Sequence, residues 1–117
     1  MSIYTDMIDI INKRGLQRLA PISNSTGKCC LLGARALALG VEPDADTMYA
    51  YDDLYSTEGI EELIELTSEE VPDDERNFRN DINSVWYYND VVIEGNKGKA
   101  IAMLERAETL RVLNNAG

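Results

Sequence analysis

From Lys28 to Leu39 only two positions, Lys28 and Arg35, are charged, nearly all the others are apolar or small, and Gly40 follows as a natural stop. A helix of this composition is apolar almost all round and has to be covered by other elements. Gly33, Ala34, Ala36 and Ala38 leave little side chain to hold neighbours apart, while Leu31, Leu32, Leu37 and Leu39 fill the space between them. The run predicts a buried central helix over residues 28–39. At 117 residues the rest of the chain suffices for one domain, residues 1–117, which buries roughly two thirds of its unfolded surface.

The covering elements follow from apolar spacing. Ile3, Met7, Ile10 and Ile11 share one helical face, with Ser2 as N-cap and Gly15 as stop, which predicts a helix over 3–14. Leu16 to Thr26 loses that period, contains Pro21 and ends in Ser23-Asn24-Ser25-Thr26-Gly27, the composition of a loop or a short β-hairpin. Met48, Tyr51 and Tyr55 place a short helix over 44–55, and Ile60, Leu63 and Ile64 place another behind Thr57 as its cap. Val71-Pro72-Asp73-Asp74-Glu75 reads as the start of a helix carrying Phe78, Ile82, Val85 and Trp86 into the core. That helix should break at Asn89-Asp90, with Asn89 in the left-handed conformation. After the Gly95-Asn96-Lys97-Gly98 loop, Ala100, Met103, Leu104, Ala107 and Leu110 line up a last helix over 99–113, and residues 114–117 should fray. The expected fold is mainly α, a compact single-domain bundle of four to six helices around the buried central helix, with one short β-hairpin.

Charge is distributed unevenly. Against 11 basic side chains stand 21 acidic ones, a net charge of −10, and there is no histidine. Fourteen of the acids fall between Glu42 and Glu75, a stretch without one lysine or arginine, so the remainder of the chain carries a net +4. This acidic segment, 42–75, keeps helical spacing and belongs inside the domain. The negative balance opposes direct binding to nucleic acid, whose affinity comes from lysine and arginine displacing counterions. The missing histidine removes the commonest general base and the commonest metal ligand together. No apolar stretch reaches the ~18 residues of a membrane span, and Asp6 and Asp9 interrupt any signal-peptide core, so the expectation is a cytoplasmic protein without membrane contact.

Catalytic and metal motifs are incomplete. Thr26-Gly27-Lys28 resembles a phosphate loop, but Ile22 stands where the first glycine is needed and Cys29 where the magnesium-binding hydroxyl is needed. A calcium loop begun at Asp44 fails at Met48, Tyr49 and Tyr55. No metal site and no cofactor is expected. Cys29 and Cys30 are adjacent, neither a disulfide framework nor a spaced metal site. Placed in the first turn of the central helix beside Lys28, they could have lowered thiol pKa values and serve a thiol enzyme. Against that, the chain has no histidine to act as base, and cysteine is commonly a small buried hydrophobe, so a structural role is the expectation for both.

The acids invite a binding function. Glu61/Glu65 and Glu58/Glu62 are one helical turn apart, where like charges repel by a few tenths of a kcal/mol. Such repulsion serves either solubility or electrostatic steering toward a basic partner. In the second case Glu58, Glu61, Glu62, Glu65, Glu69, Glu70, Asp73 and Asp74 carry the charge, and Tyr51 or Tyr55 provides an aromatic anchor. The leading expectation is a non-enzymatic accessory or inhibitor protein that binds a basic host protein, such as a nucleic-acid-binding or defence protein. The alternative is a small-molecule-binding or sequestering protein, its pocket built from Cys29, Cys30, Tyr87, Asn89 and Asp90 between the 28–39 helix and the Trp86–Asp90 element.

The Cys30-x-x-Gly33-Ala34 helix start, the later Trp86-x-x-Asn89-Asp90 element, and the terminal helix with Ala100, Leu104 and Ala107 resemble a family of small proteins from phages and bacteria. The resemblance covers most of the chain outside the acidic middle, which departs from it. It implies a compact helical fold and a phage origin, with the bacterial host cytoplasm as the compartment, and it carries no activity.

Overall fold

Helix α1 (Ile3–Arg14) begins and ends on signals in its own sequence. The Ser2 hydroxyl accepts from the Thr5 N–H at 3.2 Å while the Thr5 hydroxyl accepts from the Ser2 N–H at 3.1 Å, a reciprocal capping box. Gly15, at φ 86°, returns its N–H to the Ile11 carbonyl at 2.8 Å. Both ends stand where the sequence places them. The computed structural model describes residues 2–20, 22–23, 25–41 and 57–116. The helix expected over 44–55 lies outside the described residues.

The apolar run enters its helix three residues later than expected. α2 spans Leu31–Ala38 because Lys28 and Cys29 are taken up in extended pairing. Cys29 donates its N–H to Gly15 at 3.1 Å and accepts from Gln17 at 2.9 Å, a bridge to Leu16. Its other side bridges Ile22, closed by the Ser23 N–H on the Lys28 carbonyl at 2.9 Å. The short hairpin expected over 16–27 is thus reduced to two isolated bridges. Leu31 to Ala36 are buried without exception, but Leu39, expected to fill the core, is 53% exposed just past the helix end.

Helix α3 (Glu61–Glu69) has no side-chain cap of its own. Thr57, the expected cap, accepts only through its carbonyl, from Ile60 at 3.3 Å. Tyr4 of α1 does the work instead: its hydroxyl accepts from the Leu63 N–H at 3.2 Å and donates to Glu62 Oε1 at 2.8 Å. Burial and the Glu62 hydrogen bond raise the Tyr4 phenol well above its ordinary pKa.

The single helix expected after Pro72 is broken in two. A 3-10 turn covers Asp73–Phe78, after which Asn80 adopts φ 67°. The reason is tertiary. Arg79 donates to the Val71 carbonyl at 3.0 and 2.6 Å, and the Asn80 N–H donates to the Ser68 hydroxyl at 2.8 Å, which holds a sharp corner against α3. α4 (Asn83–Tyr87) then runs on through Asn89-Asp90, where a break was expected, as a π-helical turn over Tyr88–Val92. The left-handed residue that ends this element is Glu94, at φ 50°, and not Asn89. Trp86, expected to face the core, packs against it half-buried and donates to Asn83 at 2.9 Å, while Tyr88 is buried in the core. α5 (Lys97–Ala116) starts two residues early because Asn96 Oδ1 accepts from the Lys99 N–H at 3.0 Å, and it continues through residues expected to fray.

The principal packing pairs close a ring: α2 against α1, α1 against α5, α5 against α3, α3 against α4, and α4 back against α2. Tyr4, Met7, Ile11, Leu31, Leu63, Val85 and Leu104 meet inside it with no accessible surface. Each large apolar side chain buried this way contributes about 1.5–3 kcal/mol. The result is a compact, mainly helical bundle with almost no strand among the described residues.

Candidate functional site

Two groups of residues stand out in the sequence, and the fold treats them in opposite ways. The first is the acidic set. Helix α3 carries Glu61, Glu62, Glu65 and Glu69 and no lysine or arginine. Glu61, Glu65 and Glu69, spaced by four, form one exposed strip, continued by exposed Glu70, Asp73 and Asp74. Glu62, expected to carry charge toward a partner, is instead half-buried and committed to Tyr4. Glu58 lies before the helix, exposed, with its carbonyl accepting from Arg35 at 2.6 Å. Asp73 pairs with Arg79 at 2.8 Å yet remains 96% exposed, a geometry worth little in solvent. Tyr51 and Tyr55 lie outside the described residues.

The second group gathers at the start of α2. Asn89 is fully buried, 58 residues along the chain from the helix it caps. Its Oδ1 accepts from the Leu31 N–H at 3.1 Å, and its Nδ2 donates to the Gln17 carbonyl at 2.9 Å and to Asp90 Oδ1 at 2.8 Å. Asp90 Oδ1 also accepts from the Leu19 N–H at 3.1 Å, and its carbonyl accepts from Arg18 Nε at 2.8 Å. Cys30 is the N-cap of α2, its sulfur accepting from the Gly33 N–H at 3.4 Å. Asn89 and Asp90 thereby fasten the 17–19 loop and the start of α2 to the π-helical turn. Among the described residues no buried side-chain nitrogen or oxygen lacks a partner.

The fold therefore brings Cys29, Cys30, Asn89 and Asp90 together but leaves Tyr87 elsewhere. Tyr87 stacks on Phe78 with ring centroids 5.2 Å apart, and Trp86 meets Phe78 edge-on at 5.1 Å. Two shallow grooves, about 480 and about 490 Å³, are lined by Leu66, Ala102 and Leu113 and by Glu65, Glu69 and Arg79 respectively, not by the cysteine group. The thiols also run against a lowered pKa. Burial pushes Cys29 up to about 11, against the opposing pull of Arg14, and Cys30 up to about 12. Lys28 and the helix dipole would favour thiolate in a helix's first turn, but Cys29 precedes the helix and burial holds both thiols protonated at neutral pH, in keeping with the structural role expected for them.

Sequence reasoning missed Tyr4, Gln17 and Arg79. Tyr4 was legible, since it shares the 4, 7, 11 face with Met7 and Ile11. Gln17 and Arg79 act through backbone carbonyls, for which no local pattern exists.

No helix among the described residues is long and apolar enough to cross a membrane, and no three acidic or cysteine side chains among them converge as metal ligands. Comparison with protein-family models, with curated proteins and with solved structures finds no match.

Proposed function

We propose that this chain is a non-enzymatic binding protein that docks on a basic partner protein through the exposed acids of α3 and the turn that follows it. The observation that carries this reading is the Glu61-Glu65-Glu69 strip with Glu70 and Asp74: five exposed carboxylates on adjoining elements, with no cation on α3 itself. A surface of one sign raises the encounter rate with an oppositely charged partner by ten- to a thousand-fold at low salt. The host setting, a phage accessory or inhibitor acting on a nucleic-acid-binding or defence protein, comes from the family resemblance alone. The other reading, a sequestered small molecule at Asn89 and Asp90, gains nothing from the geometry, because Asn89 already meets protein partners with both ends of its amide.

The test is titration of the protein with a fluorescently labelled lysine-rich peptide at low and at physiological salt. Saturable binding that weakens steeply with salt supports the reading. Absence of binding at low salt contradicts it.

A further inference from the structure

The 3-10 turn and α4 hold a second surface feature, separate from the acidic strip. Phe78, Trp86 and Tyr87 form an aromatic cluster in which all three rings are half-buried and so reach the surface. Trp86 and Tyr87 also contact each other, their centroids 6.1 Å apart at 54°. Val85 and Tyr88 of the same element are buried in the core, and Trp86 packs against that core while keeping part of its surface in solvent. Acidic side chains stand beside them: Asp74 is exposed, Glu75 is half-buried, and both carboxylates, after burial, raise the Tyr87 phenol. Two cations share the turn. Arg79 is committed to Val71 and Asp73, and Arg76 is exposed.

Aromatic faces attract cations, tryptophan most strongly, and an arginine guanidinium also stacks flat on a ring while pairing at its edge with a carboxylate. Tryptophan, tyrosine and arginine are the residues that most often dominate binding energy at interfaces. We infer that Phe78, Trp86 and Tyr87 are the anchor for an arginine side chain of the partner, its guanidinium lying against the rings with Asp74 and Glu75 beside it. This rests on the reading of the chain as a binder of a basic protein, and it places an aromatic anchor on the 3-10 turn and α4, apart from the one expected at Tyr51 or Tyr55. Steering by the α3 strip is indifferent to lysine or arginine; the anchor is not.

Trp86 is the only tryptophan in the chain, so its fluorescence reports the anchor directly. Two peptides of equal length and charge, one of alternating glycine and arginine and one of alternating glycine and lysine, are titrated against the protein. The arginine peptide is expected to bind roughly tenfold more tightly and to change the Trp86 emission. Tyr87→Leu should abolish the preference and leave the weaker, charge-driven binding of both peptides, whereas Tyr87→Phe, which keeps the ring, should retain it. Arg76→Ala should strengthen arginine binding by removing a competing cation. Circular dichroism of each variant separates loss of the anchor from loss of the fold. Equal affinities with unchanged Trp86 emission overturn the anchor while sparing the acidic surface, and binding of neither peptide overturns both. Self-association of the peptide-free protein that Tyr87→Leu disperses also overturns the proposal, assigning the rings to a second copy of the chain.

Discussion

At the start of α2, Asn89 meets three partners inside a closed interior, whereas along α3 the carboxylates of Glu65 and Glu69 stand in solvent a helical turn apart. Both regions are polar, but the physical consequences differ. A buried amide fixes its neighbours because leaving any of them unpaired costs about 1–3 kcal/mol per group. Exposed like charges cost a few tenths of a kcal/mol per pair and fix nothing. The α2 region therefore holds the fold together, and the α3 region is free to serve recognition. Substitutions should separate the two.

The largest effect is expected at Asn89. Asn89→Ala strands the Leu31 N–H, the Gln17 carbonyl and part of the Asp90 carboxylate, and should lower stability by about 3 kcal/mol in urea unfolding. A loss below about 1 kcal/mol would mean water replaces the amide and would break the contrast.

Next comes alkaline pH. The thiols of Cys29 and Cys30 stay protonated in the fold up to about 11 and about 12, while in the unfolded chain they ionise near their ordinary value of 9.0. The unfolded state thus loses its protons first. Stability present below that value should fall between pH 9 and pH 10 by up to about 1.4 kcal/mol per thiol, and Cys30→Ala should remove one thiol's share of the slope. A slope unchanged in Cys30→Ala would show that the sulfur is open to water.

Tyr4→Phe removes the hydroxyl that caps α3 and holds Glu62, and should cost about 1–2 kcal/mol. The smallest effect is expected at Glu65→Gln, within about 0.5 kcal/mol of the parent and toward stabilisation, since it relieves repulsion from Glu61 and Glu69. A loss above about 1 kcal/mol there would reveal a structural role for the strip.

What the sequence discloses and what it withholds follow the range of the interactions. α1 is legible to the residue because Ser2, Thr5 and Gly15 close it through neighbours three or four positions away. The apolar spacing of Leu63, Val85 and Leu104 likewise places them in the core. The start of α2 is not legible, since Cys29 is claimed by Leu16 and Ile22, and no local pattern announces such a pairing. The break at Asn80 depends on Arg79 reaching back to Val71 and on Ser68 accepting from Asn80. Asn89 looks like a helix terminator on propensity alone; tertiary partners at Gln17 and Leu31 hold it inside a π-helical turn. The acidic strip was legible from composition and period together, except at Glu62, whose commitment to Tyr4 spans 58 positions.

The contrast between the two regions is tested most directly by the variant carrying Glu61→Lys, Glu65→Lys, Glu69→Lys and Glu70→Lys, with stability and peptide binding measured on the same sample. The expected result is stability within about 1 kcal/mol of the parent together with at least a tenfold weaker affinity for the arginine peptide at low salt. Unchanged affinity in a folded variant would contradict the account, because the strip would then contribute neither to the fold nor to binding.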